Sequence, residues 1–177
     1  TCAVVSGGLK CWGRNDNSGQ LGVGSSTNFY TPQVVYASGS SVTDVITGSD
    51  HTCAVVSTAL KCWGNNGYGQ LGNGTTTNSN EPVAITTGIA AITKLSASSN
   101  MTCALAGSPI LSCVGYNAYG GLGDSTQINN SAFQSISLSN RDNINYTITY
   151  FAAGRNGNGW GCIVLNGGLR CCGEHAV

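Results

Sequence analysis

Apolar residues along this chain come in short bursts separated by Gly, Ser, Thr and Asn, and the bursts recur. Thr1-Cys2-Ala3-Val4-Val5-Ser6, then Leu9-Lys10-Cys11-Trp12-Gly13, returns as Thr52-Cys53-Ala54-Val55-Val56-Ser57, then Leu60-Lys61-Cys62-Trp63-Gly64. A third copy reads Thr102-Cys103-Ala104-Leu105 and Leu111-Ser112-Cys113-Val114-Gly115. A fourth reads Cys162-Ile163-Val164-Leu165 and Leu169-Arg170-Cys171-Cys172-Gly173. Three copies are followed by a glycine tract: Gly19-Gln20-Leu21-Gly22, Gly69-Gln70-Leu71-Gly72 and Gly120-Gly121-Leu122-Gly123. The first Cys recurs after 51, 50 and 59 residues, so the third interval carries an insertion, assigned to the polar stretch from Ser139 to Tyr146.

Each repeat also holds two further β-type runs. Val34-Tyr36, Val83-Ile85 and Ser135-Leu138 form one set; Val42-Ile46, Ile89-Leu95 and Tyr146-Ala152 form the other. With the two Cys-bearing runs this makes four short strands in about 50 residues, the pattern of a propeller blade. The expected fold is all-β: blades of four antiparallel strands, about three and a half of them, in a partial or open propeller. Residues 1–177 read as one repeat array, with units at about 1–51, 52–101, 102–160 and 161–177, the last incomplete.

The cysteines follow from the hairpins. Asn166-Gly167 is a type I′ turn signal, and a two-residue turn there sets Cys162 opposite Cys171. Counting outward from the turn, that pair is non-hydrogen-bonded, where opposed Cα atoms approach most closely. The same count pairs Cys2 with Cys11 and Cys53 with Cys62. A longer turn containing Gly107-Ser108-Pro109 keeps Cys103 opposite Cys113. Four disulfides are predicted, with Cys172 left over; reduced core cysteines are the competing reading. Strand parity puts Val55 and Leu60 on the face of the Cys53–Cys62 pair, and Ala54, Val56 and Trp63 on the other. Trp12 and Trp63 read as packing between blades, or alternatively as exposed ligand platforms; their fixed place in the repeat favours packing.

Composition narrows the class. Only 8% of residues are charged and the formal net charge is zero, so the basic footprint of a nucleic-acid or anionic-membrane binder is missing. No run of 18 apolar residues occurs, and no membrane insertion is expected. Hydrophobic residues make up 41%, too many and too well patterned for disorder. With no initiator Met or signal segment at Thr1, the sequence reads as a mature product or a fragment. Disulfides place such a chain outside the cell or on its surface.

Candidate chemistry is sparse. Zinc sites favour cysteines two to four residues apart, and the only close pair is Cys171-Cys172. A cysteine nucleophile needs a base, and the only histidines are His51 and His175. Asp16, Asp50 and Asp124 are candidate calcium ligands, but their scatter favours turn and capping roles. The glycine tracts resemble phosphate cradles, yet they recur with every blade and lack the following Lys-Ser/Thr. Neither a catalytic residue, a metal nor a cofactor is expected. Four sequons, at Asn73, Asn100, Asn129 and Asn145, are candidate N-glycosylation sites, and Ser/Thr-rich tracts at 24–31 and 74–80 are weaker O-glycosylation candidates.

The residues His51-Thr52-Cys53-Ala54, Cys62-Trp63-Gly64-Asn65-Asn66, Gly69-Gln70-Leu71-Gly72 and Pro82-Val83 resemble the regulator of chromosome condensation repeat. The resemblance spans the chain and fades toward the fourth unit. It implies four-stranded blades, seven to a closed ring, and a range of uses: nucleotide exchange on chromatin, secreted β-lactamase inhibition, adaptor roles. The paired cysteines look like a secreted branch. Departures are Val114 and Cys172 in place of the Trp, and Gly121 in place of the Gln. A seven-bladed ring needs about twice this length, leaving three options: a fragment, pairing between chains, or an open array.

The expected function is an extracellular, non-catalytic scaffolding module of a larger surface or fibrous assembly, glycosylated, with other copies or other protein chains engaged through strand edges. The alternative is a soluble protein- or glycan-binding propeller, of inhibitor or lectin type, with Tyr68, Tyr116 and Tyr119 on its binding face. An intracellular exchange factor ranks third. Cys172 reads either as inert and buried or as a link between chains.

Overall fold

The computed structural model of the chain describes residues 1–16, 18–86, 91–106, 110–136, 148–153 and 161–172. Among these residues are fourteen strands and no helix: β1 Cys2–Val5, β2 Gly8–Gly13, β3 Phe29–Tyr36, β4 Val42–Thr47, β5 His51–Val56, β6 Ala59–Gly64, β7 Ser79–Ala84, β8 Ile92–Ala97, β9 Met101–Ala106, β10 Ile110–Gly115, β11 Asn130–Ser135, β12 Ile148–Ala153, β13 Gly161–Leu165 and β14 Gly168–Cys172. They form four antiparallel sheets with orders β1-β2-β3, β4-β5-β6-β7, β8-β9-β10-β11 and β12-β13-β14. The inner strands β4, β8 and β12 touch in succession, and β3, β7 and β11 lie at the outer edge.

Each sheet is built on a Cys-bearing hairpin. In β5–β6 the register runs from His51↔Gly64 through Cys53↔Cys62 to Val56↔Ala59, leaving Ser57-Thr58 as the turn. Those two residues have φ of 47° and 72°, the doubly positive signature of a type I′ turn, which matches the strands' right-handed twist. Asn166 and Gly167 repeat it at 47° and 81°. The sheets are displaced by one strand from the repeat counted at its first Cys. β4 lies within residues 1–51 but opens the sheet built on β5 and β6, because the short turn at Gly48-Ser49-Asp50 folds it directly back onto β5. The outer strands β3, β7 and β11 begin several residues ahead of their apolar runs. One side of an outer strand is solvated, which tolerates Ser79-Asn80-Glu81 and Asn130-Ser131. Ser137-Leu138, Ile89-Ala90, Tyr146-Thr147 and the insertion from Ser139 to Tyr146 lie outside the described residues.

The core sits between sheets, in three layers. Leu9, Cys11 and Leu21 of the first sheet meet Val42, Ala54, Val56 and Trp63 of the second. Cys53, Val55, Leu60, Cys62 and Leu71 of the second meet Leu95 and Ala104 of the third, with Phe133 packed against them. Met101, Cys103, Leu105, Leu111, Cys113 and Leu122 of the third meet Ile148 and Phe151 of the fourth. Both faces of a middle blade are therefore apolar, and each aliphatic side chain so buried contributes about 1.5–3 kcal/mol.

Candidate interaction face

The loops that follow β2, β6 and β10 gather at one end of the sheets, and a buried asparagine organises each. Asn15, Asn66 and Asn117 are fully buried. In the second blade the Asn65 N–H first bonds the Asp50 carbonyl at 2.7 Å, which ties the loop to the β4–β5 turn. Asn66 Oδ1 then accepts the Leu71 N–H at 2.9 Å, while Nδ2 donates to the carbonyls of Thr75 and Thr77 at 3.0 and 3.1 Å. Asn117 repeats the set, with Leu122 at 2.9 Å and the carbonyls of Thr126 and Ile128 both at 3.2 Å. Asn15 holds the Leu21 N–H and the Ser25 carbonyl. One side chain thus supplies the donors and the acceptor that a strand ladder would otherwise supply.

The glycine tracts clip neighbouring blades together. The Gln20 carbonyl accepts the Thr52 hydroxyl at 2.8 Å and the Trp63 Nε1–H at 3.0 Å, both from the next sheet. The Gln70 carbonyl likewise accepts the Thr102 hydroxyl at 2.8 Å. A Cβ on Gly19 would lie 2.4 Å from Asn80 Cβ, and one on Gly69 would lie 2.6 Å from Ser131 Cα, so only glycine admits the neighbouring strand. Within the tracts the N–H groups of Gly22, Gly72 and Gly123 bond back to Gly19, Gly69 and Gly120, so these donors are spent internally and do not cradle an anion.

Trp63 is fully buried in the layer between the first two blades, whereas Trp12 on the opposite face of the first sheet is half-buried. Where the third blade has Val114 at the Trp register, Phe133 on the outer strand fills the space. It lies against Gly72 at the position where Pro82 stands in the second blade. The ring has moved from one strand to its neighbour.

Three tyrosines surface at this end. Tyr68 of the second blade and Tyr116 of the third have ring centroids 5.0 Å apart, crossing at 73°. Tyr116 and Tyr119 are 6.0 Å apart at 64°. Tyr68 and Tyr119 are 40% and 37% exposed, which leaves ring surface free for a partner. Desolvation, together with the neighbouring Tyr119 and Tyr68 hydroxyls, raises the Tyr116 phenol above its ordinary pKa. A cleft of about 310 Å³ between the β4–β5 and β8–β9 turns is lined by Thr47, Gly48, Ser49, Ala97, Ser98 and Ser99. The nearby charges are Arg14, Asp16 and Asp50; Arg14 pairs with Asp16 and its guanidinium lies 3.8 Å from Asp50.

The bonded sulfurs are those of Cys2–Cys11, Cys53–Cys62, Cys103–Cys113 and Cys162–Cys171, at 2.11, 2.14, 2.03 and 2.01 Å. Their Cα separations of 4.0–4.1 Å are those of close, non-hydrogen-bonded pairs. The first three bridges face the following blade, while Cys171 is exposed. Cys172 lies on β14 opposite Gly161. Asn129 is exposed, with Oδ1 accepting the Asn117 N–H at 2.8 Å. Asn73 is half-buried and its Oδ1 accepts the Thr75 hydroxyl at 2.8 Å. Asn100 is half-buried and its sequon's Thr102 is fully buried. Asn145 and His175 lie outside the described residues.

Asp124 Oδ1 caps its turn through the Thr126 N–H, the Thr126 hydroxyl and Asn117 Nδ2; these bonds outweigh desolvation and hold the carboxyl below its usual range. Among the described residues no group of three or more His, Cys, Asp or Glu side chains comes together. The Asn hubs and the interblade role of the clips escaped the sequence reading. The signal was there in Asn15, Asn66 and Asn117, each two residues beyond the glycine that follows the second Cys.

Antiparallel sheets of up to four strands, stacked face to face and clipped by glycine loops, define a repeat protein of the β-propeller type. Residues 6–55 and 62–105 match the regulator of chromosome condensation (RCC1) repeat, and residues 42–70 match a second description of the same repeat. The chain belongs to this repeat family. Among solved structures, human WBSCR16 superposes with a TM-score of 0.77 at 22% identity, over 96% of this chain and 44% of that one. Prp20p from Saccharomyces cerevisiae, studied for its binding to Gsp1p and histones, gives 0.76 at 25% identity, over 99% and 41%. The ectodomain of the Arabidopsis thaliana receptor kinase ACR4 gives 0.54 at 21%, over 98% and 49%. The chain spans less than half the length of each. No curated protein sequence matches it.

Proposed function

We propose that this chain is an extracellular, non-catalytic scaffolding module that joins a larger surface or fibrous assembly through protein–protein contacts. The observation that carries the reading is that each of the four Cys-bearing hairpins is closed by its own disulfide, chemistry suited to an oxidising compartment, in a chain of zero net charge. An ectodomain among the similar folds supports the location, and the protein-binding propellers among them support the mode of action. Asn129 is the sequon best presented for a glycan. Electron microscopy of native material under non-reducing conditions tests the reading. Filaments or multi-chain rings are expected, and isolated monomers at high concentration would overturn it.

The tyrosine cluster favours a second reading, a soluble propeller that binds a protein or glycan on its loop face. Tyr68 and Tyr116 bridge two blades, so a ligand there would read both at once. Alanine at Tyr68 and Tyr119 would then abolish capture of the partner while leaving unfolding unchanged.

A further inference from the structure

Tyr68 and Tyr116 stand on different blades, and a run of hydrogen bonds fixes one backbone relative to the other. The Tyr68 N–H donates to Gln70 Oε1 at 2.9 Å, and Gln70 Nε2 donates across the blade boundary to Asn100 Oδ1 at 3.4 Å. The Asn100 carbonyl in turn accepts the Tyr116 N–H at 2.9 Å. Gln70 is fully buried, so the bridge is sheltered from water. The two rings it positions have centroids 5.0 Å apart, nearer than the 6.0 Å between Tyr116 and Tyr119. The Tyr68 and Tyr119 hydroxyls are close enough to Tyr116 to raise its pKa, so the three hydroxyl ends lie in one neighbourhood. Tyr68 is exposed and Tyr116 half-buried, which leaves both within reach of a small oxidant. Packing within the repeat does not require the pair, because Arg14 and Asn65 hold the register of Tyr116 in the first two blades. Each of the four disulfides closes a hairpin, and none ties one blade to the next.

We propose that Tyr68 and Tyr116 form an oxidative coupling site, where a carbon–carbon bond between the two rings staples the second blade to the third. The oxidant is hydrogen peroxide acting through a haem peroxidase. Each phenol gives up one electron and its hydroxyl proton, and the two phenoxyl radicals carry unpaired spin on the Cε carbons beside the oxygen. Pairing those electrons joins one Cε of Tyr68 to one Cε of Tyr116. The proton on each joined carbon then leaves, a proton returns to each oxygen, and both rings are phenols again. Two hydrogens have passed to the peroxide, which becomes two waters. The hydrogen-bonded bridge makes the pair selective. Two rings held at an effective concentration of about 1 mM or more outrun coupling between molecules at about 1 μM by about a thousandfold. The inference goes beyond the scaffolding reading and takes from it only the oxidising location.

The test treats the intact, disulfide-bonded protein at that dilution with a haem peroxidase and hydrogen peroxide, then maps it by mass spectrometry after reduction and proteolysis. A monomer lighter by two hydrogens, with blue biphenol fluorescence and a peptide joining Tyr68 to Tyr116, is expected. Tyr68→Phe keeps the ring but has no hydroxyl to oxidise, so the link within the monomer should vanish while the far-UV spectrum is kept. Tyr119→Phe should leave the link in place. An unlinked monomer, a Tyr116–Tyr119 product in its stead, or coupling mainly between molecules through the exposed Tyr30 would overturn the proposal. The linked peptide is also expected in native material, and its absence there overturns the proposal as well. Should the tyrosines stay unlinked while microscopy still shows assemblies, the staple falls and the scaffolding reading stands.

Discussion

Asn66→Ala tests whether one buried amide holds a blade loop in place. The side chain makes a 2.9 Å bond to the Leu71 N–H and two bonds near 3.0 Å to the Thr75 and Thr77 carbonyls. Leu71 is fully buried, so its N–H would lose its partner without regaining water, at a cost of about 1–3 kcal/mol. The two carbonyls lie in an exposed stretch and can be rehydrated, so each bond adds only about 0.5–1 kcal/mol. The expected loss is about 2–5 kcal/mol, a large share of the stability of a domain this size. Urea unfolding followed by tryptophan fluorescence and far-UV circular dichroism would measure it, with hydrogen exchange at the Leu71 amide as the local readout. Asn66→Asp retains the acceptor for Leu71 but sets a carboxylate against the Thr75 and Thr77 carbonyls. It should be at least as damaging at neutral pH and partly relieved in acid, where a protonated carboxyl can donate again. A loss below about 0.5 kcal/mol, or a larger loss with the Leu71 amide still protected, would refute the hub argument.

Other outcomes follow from particular side chains. Burial pushes the His51 pKa down to about 4 from 6.5, with the Ser99 carbonyl pulling weakly the other way, so the folded protein holds a neutral imidazole. Stability should be level above pH 6.5 and fall by about 3 kcal/mol between there and pH 4, because only the unfolded chain takes up the proton in that window. His51→Met, which copies Met101 of the next repeat, should flatten this dependence in pH-resolved denaturation. Thr58 is exposed and β-branched at φ 72°, so Thr58→Gly should stabilise by about 1 kcal/mol in thermal unfolding; a loss would mean the turn strain is not real. Trp63→Val should cost about 3 kcal/mol, and adding Pro82→Phe, which copies the Val114–Phe133 arrangement, should recover at least about 1 of it in a double-mutant cycle.

The blade pattern was legible because strand parity is a local rule. Val55 and Leu60 lie with the Cys53–Cys62 bridge toward the third blade, and Ala54, Val56 and Trp63 lie toward the first, as alternation along β5 and β6 requires. The start of an outer strand was less legible, because a solvated edge accepts Ser79 and Asn80 without an apolar signature. The Asn hubs were harder still. Their partners lie up to eleven residues away along a loop, and asparagine is too common in this chain to announce one buried copy. Nor did Val114 signal its compensation, since Phe133 belongs to a different strand of the same sheet and only the register brings the two together.

Every disulfide closes within its own hairpin, over a sequence separation of nine or ten residues, and none crosses from one blade to the next. Under tension the chain would therefore come apart along the layers between blades, while each hairpin remained a closed ring. Each ring withholds roughly 30 Å of contour from a pulled molecule. Four such rings would remove about a fifth of the full extension, a deficit that force spectroscopy would recover on adding a reductant. A fibre made of such units would stretch in steps and keep its local folds as seeds for recoil.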